Sequence, residues 1–102
     1  MDRTRLLLVL ALAACGSNHH APKILHVDIR QMAYVPDSLA VAAGDTVEWT
    51  NDDLVPHSVT SATFDSKAIA PHQTWSYVAK TPGDFAYNCT FHTMMVGAII
   101  VR

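Results

Sequence analysis

The sequence predicts an all-β fold: a two-sheet, antiparallel Greek-key β-sandwich of seven or eight short strands. Three observations lead there. From Lys23 onward, short runs rich in β-branched and aromatic residues alternate with polar ones at a period of two. Prolines and turn dipeptides interrupt these runs at regular intervals. No stretch carries a sustained helical period with caps at its ends.

The elements follow in order. "ILHVDIR" (24–30) places Leu25, Val27 and Ile29 on one face and Ile24, His26, Asp28 and Arg30 on the other. "MAYVP" ends at Pro36, which has no N–H to give to a ladder. "SLAVAAGDTVEWTN" (38–51) reads as two strands joined around the turn dipeptide Gly44-Asp45, with Val47 and Trp49 on one face of the second. "HSVTS" (57–61) is a further short β run. "SATFDSKAIAPH" (61–72) is the least regular segment, with room for a helical turn. "QTWSYVA" (73–79) alternates Trp75 and Tyr77 with Ser76 and Val78. A Pro82-Gly83-Asp84 turn leads into "FAYNC" (85–89), with Phe85 and Tyr87 on one face, and "GAIIVR" (97–102) closes the sandwich.

The chain of 102 residues suits one domain. Residues 1–15 are read apart from it. Arg3 and Arg5 precede an unbroken apolar run, Leu6 to Ala14, that is too short to span a bilayer. This is a secretory signal layout, and its end, Leu12-Ala13-Ala14-Cys15, resembles the lipobox of bacterial lipoproteins. That resemblance implies an acyl chain on Cys15, which would tether an exported domain to a membrane surface. Residues 16–22, "GSNHHAP", read as a tether, and residues 23–102 as the domain. The formal charge of −2 offers no basic footprint for nucleic acid. With Cys15 lipidated, Cys89 is the one remaining thiol of an exported chain, and metal ligation is one reason to keep it.

Four residues carry the chemistry: His57, Cys89, His92 and Met95. Cys89 and His92 stand in a Cys-x-x-His spacing, Met95 follows three positions later, and His57 comes from far upstream just after Pro56. Singly, each reads as an ordinary structural residue. Together they match copper electron transfer, in which two imidazoles and a thiolate with a weak thioether suit both Cu(II) and Cu(I). Zinc is the main competing metal, but a methionine is a poor fourth ligand for it. A Cys–His nucleophile pair competes too, yet neither a further triad member nor a glycine-rich oxyanion loop stands out.

Two segments, "GDTVEWTNDDLVPHSVTS" (44–61) and "TPGDFAYNCTFHTMMVGAIIV" (81–101), resemble the cupredoxins, and most of all the small amicyanin/plastocyanin-type blue copper proteins. A Gly-Asp-Thr-Val-x-Trp strand leads through Asn51 and an acidic loop to Pro56-His57. An aromatic strand then leads to Cys-x-x-His-x-x-Met-x-Gly. The resemblance covers nearly all of residues 24–102. It implies a cupredoxin-like sandwich, a single type 1 copper held by His57, Cys89, His92 and Met95, and a one-electron carrier in the periplasm or at a membrane surface. A copper-binding carrier or chaperone is the alternative. An enzyme is not expected: a multicopper oxidase needs more copper domains, and the two-copper centre of oxidases needs a second cysteine near Cys89. Redox proteins are the expected partners of a monomer. They would dock at His92 within an apolar rim of Phe91, Met94 and Val96.

Two positions depart from the family pattern. Phe91 stands where proline is frequent, and Ser58 stands where an asparagine braces the two ligand loops. Of the other histidines, His19 and His20 read as solvated tether with a weak copper-capture option, and His26 and His72 as surface or structural residues. Asp52, Asp53 and Asp65 read as a solvated loop face, or else as an acidic patch for a partner.

Overall fold

The computed structural model describes residues 20–102. The signal segment, Cys15, His19 and the start of the tether lie outside the described residues. Among the described residues seven strands follow in order: β1 Ile24–Arg30, β2 Ala33–Val35, β3 Ser38–Val41, β4 Thr46–Asn51, β5 Thr74–Val78, β6 Gly83–Asn88 and β7 Val96–Val101. They form two sheets, one ordered β2-β1-β4-β5 and the other β3-β7-β6.

The β-branched and aromatic alternation places Val27, Ile29, Val47, Trp49, Tyr87, Ile99 and Val101 in the core between the sheets. Trp49 is its centre. Its ring lies 5.5 Å from that of Trp75 and 5.5 Å edge-on from that of Tyr87, while its Nε1–H donates to the Tyr87 hydroxyl at 3.1 Å. Phe64, from the irregular segment, adds its ring to this cluster 4.5 Å from Tyr77. Burial pushes the Tyr87 phenol up to about 12, against the opposing bond from Trp49.

The sandwich is as the sequence predicts, but its sheets are mixed, not antiparallel. β1 pairs parallel with β4, bringing Val27 beside Trp49, and β3 pairs parallel with β7. The short connections misdirect here: β3 and β4 are joined through Gly44, whose φ of 101° favours glycine, yet they belong to opposite sheets. The 38–51 segment is therefore a sheet-to-sheet crossing instead of a hairpin. Two further expectations are corrected. Residues 57–61 form isolated bridges, His57 with Ile69 and Thr60 with both Asp65 and Asn88, in place of a strand. Residues 61–72 hold no helical turn and are tied by bends and bridges.

Candidate metal centre

The β6–β7 connection starts at Cys89, the residue after Asn88, and ends at Met95, the residue before Val96. Backbone bonds pinch it closed: Cys89 N–H donates to the Met95 carbonyl at 3.1 Å, and Met95 N–H to the His92 carbonyl at 2.9 Å. His57 arrives from the loop after β4. That loop is folded by the fully buried Asn51, whose Nδ2 donates to the carbonyls of Val55 and Ile69, both at 2.9 Å. Reciprocal bonds between Thr60 and Asn88, at 3.0 and 2.9 Å, lay the His57 segment against the end of β6.

The donor atoms of His57, Cys89 and His92 lie within 4.8 Å of one another. Cys89 Sγ is 3.8 Å from His57 Nδ1 and 3.7 Å from His92 Nδ1. Two ligands each about 2.0–2.3 Å from a common ion stand roughly this far apart, so the separations of Cys89 from His57 and from His92 suit one shared metal. His57 and Cys89 are fully buried, Met95 is buried and His92 is half-buried. Met95 and Met94 both line a cleft beside His92, Met95 buried and Met94 93% exposed. Phe91 and Val96 are exposed close by along the chain.

Asp53 is what the sequence reading missed. It belongs neither to a solvated face nor to an acidic patch. One carboxylate oxygen accepts the Gln31 N–H at 2.7 Å; the other accepts the Met32 N–H at 2.9 Å and bonds His57 Nε2 at 2.9 Å. Partial burial raises the Asp53 carboxyl, but the Met32 N–H, the His57 ring and the Gln31 N–H outweigh it and hold it below the ordinary value. A carboxylate can only accept, so His57 keeps its proton on Nε2 and turns a bare Nδ1 toward Cys89.

Ser58, shorter than the asparagine of the family pattern, still ties the two ligand loops together. Its Oγ accepts the Thr90 N–H at 2.9 Å and sits 3.1 Å from the Thr90 hydroxyl, while its own N–H points at Cys89 Sγ from 3.4 Å. Thr90 supplies the second half of the brace. The Tyr34 hydroxyl donates to the Ser58 carbonyl from the opposite side; burial, with Cys89 and Tyr87 nearby, pushes its phenol well above the usual range.

The other sequence-flagged residues lie elsewhere. His26 is exposed, 3.2 Å from Glu48, and His72 is exposed. Asp65 caps its own turn by accepting from the Lys67 N–H and the Thr60 hydroxyl. His20 is no free linker residue: its Nε2 meets the buried Asp45 carboxylate at 2.7 Å.

Comparison with known proteins bears on this geometry. A family model described as a cupredoxin-like domain matches residues 4–101. The chain is 37% identical over 92 residues to a plastocyanin from Synechococcus sp. (strain JA-2-3B'a(2-13)), covering 74% of this chain and 68% of that one. It is 33% identical over 83 residues to an amicyanin from Paracoccus denitrificans, where it spans 74% of this chain but only 63% of that protein's length. Among solved structures, a mutant amicyanin with Cu(I) superposes at a TM-score of 0.73 and 29% identity, over 78% of this chain and 82% of that one. A purple cupredoxin from Nitrosopumilus maritimus superposes at 0.72 and 29%, over 76% of this chain and 99% of that one.

Proposed function

The chain belongs to the cupredoxin-like family, and from that premise we propose that it is a type 1 copper protein carrying one electron at a time, with His57, Cys89, His92 and Met95 as the ligands. One observation carries the reading: three donors, two of them fully buried, converge within 4.8 Å from two loops that the protein's own hydrogen bonds brace. When bound, copper supplies a centre that alternates between Cu(II) and Cu(I). The chain does the rest. Asp53 aims the His57 Nδ1 inward. The Ser58 N–H, within 3.4 Å of the sulfur, stabilises a Cys89 thiolate. Bracing by Ser58–Thr90 and by the Cys89–Met95 backbone bond keeps the donors from moving as charge changes. His92 Nδ1 faces the sulfur, so the far edge of its half-buried ring is the way out for an electron.

The partners are redox proteins that dock on the apolar rim of Phe91, Met94 and Val96, all more than half exposed. The protein is a carrier, not an enzyme. The domain is exported and anchored through a lipid on Cys15, a reading that the signal layout of residues 1–15 supports. Adding Cu(II) tests the assignment: wild-type protein gains an intense thiolate-to-copper absorption, and Cys89→Ala does not. A colourless protein that prefers zinc overturns it.

A further inference from the structure

Every methionine among the described residues lines one cleft. Met32, Met94 and Met95 share an open depression of about 290 Å³ with His92 and Thr93. Their exposures run in a gradient: Met94 is 93% exposed, Met32 44% and Met95 5%. A side chain as exposed as Met94 gains little from burial, and an apolar rim is already supplied by Phe91 and Val96. What a thioether adds that an aliphatic chain lacks is a soft, neutral donor.

Met32 is also held in place. Gln31 and Met32 both adopt left-handed backbone conformations, with φ of 52° and 60°. Such left-handed conformations disfavour residues that carry a Cβ. The Asp53 carboxylate offsets this by taking both N–H groups, and the same carboxylate holds His57. The turn that presents Met32 is thus fixed against the loop that presents the first buried ligand.

We propose that Met32 and Met94, with the outer edge of His92, form a shallow capture site for a soft monovalent ion, Cu(I), which then passes inward to Cys89 and His57. The proposal rests on the copper reading of the buried centre. The transfer is ligand exchange only. The ion keeps its single positive charge, both thioethers are released unchanged, and the Cys89 thiol gives its proton to water as the sulfur–copper bond forms. Soft thioethers suit the task because they select Cu(I) over Zn(II) and, being weak donors, release it to a thiolate.

Two measurements test this. In Cys89→Ala protein with 13C-labelled methionine methyls, Ag(I), a diamagnetic stand-in for Cu(I), should shift the Met32 and Met94 methyl signals. A Met32→Leu/Met94→Leu double variant in the same background, which conserves side-chain volume, should lose that binding. In protein with Cys89 intact, anaerobic loading with Cu(I) followed by oxidation should be at least about tenfold slower in the Met32→Leu/Met94→Leu variant. The final absorption per copper should equal that of wild type. Equal loading rates, or unmoved Met32 and Met94 signals under Ag(I), overturn the proposal. Failure of the buried centre itself shows separately, as wild-type protein that stays colourless with Cu(II).

Discussion

Asp53 and His57 meet at 2.9 Å, carboxylate oxygen to Nε2, and this contact decides which imidazole nitrogen is left for a metal. Without it the ring could turn or carry its proton on Nδ1. Groups that orient a metal-ligating histidine in this way are typically worth about 10–100-fold in metal affinity. Asp53→Ala should therefore weaken copper binding by about that factor in a chelator competition. It also frees the Gln31–Met32 turn, so Asp53→Asn is the sharper variant, retaining one acceptor for that turn. Unchanged affinity in both would show that His57 is oriented by its buried packing alone.

Gly97 has no room for a side chain. A Cβ there would stand 2.5 Å from Tyr87 Cζ and 2.6 Å from its hydroxyl oxygen. Tyr87 cannot step aside, because its hydroxyl is bonded to Trp49 and its ring is wedged 4.7 Å from Tyr34. Gly97→Ala should cost about 1–3 kcal/mol, the usual range for overpacking. Urea unfolding of the metal-free protein reads this as a lower midpoint at unchanged slope. A midpoint equal to wild type would mean that Tyr87 repacks.

The ligand positions are legible in the sequence because three of them fall within seven residues and the chain cannot carry them far apart. The strands are legible for a similar reason: period-two alternation is a local property, and β1 occupies the span it suggests, Ile24–Arg30. Pairing is not local. Nothing in "SLAVAAGDTVEWTN" says that its two strands lie in different sheets, since β3 takes its partner from residues 98–101. Asp53 is illegible on the same ground. Within "NDDLVP" it has the composition of a solvated loop, and two of its partners are backbone N–H groups 21 and 22 positions upstream. Ser58 illustrates the converse: its short side chain looks inadequate until Thr90, 32 residues on, is seen to meet it.

The rim of Phe91 and Val96 should govern exchange with partners and leave the metal untouched, because both side chains are exposed while Cys89 and His57 are fully buried. In electron self-exchange two rims face each other, so Phe91→Lys/Val96→Lys sets like charges opposed. Exchange should slow by about tenfold or more at low salt, with the difference narrowing as salt screens the lysines. The copper absorption should stay as in wild type. An unchanged exchange rate would move the docking face elsewhere.

At the entry to β4, Asp45 is a buried carboxylate whose stabilisation depends on its being ionised. The His20 ring, then the N–H groups of Ala42 and Lys23, bond it and lower its carboxyl to about 2. An unfolded aspartate titrates near about 3.9. A carboxylate depressed on folding contributes its stabilisation above the unfolded value and loses it as pH falls through the folded one. The Asp45 contribution should therefore be constant from neutral pH down to about 5 and vanish between about 4 and 2. Asp45→Asn should lower the melting temperature of metal-free protein at pH 7 and flatten its fall over that acid window. His20→Ala should do the same to a lesser degree, because the two backbone donors remain. Melting curves of wild type and Asp45→Asn that run parallel from pH 7 to pH 2 would show that His20 and the two N–H groups stabilise the neutral and charged forms alike.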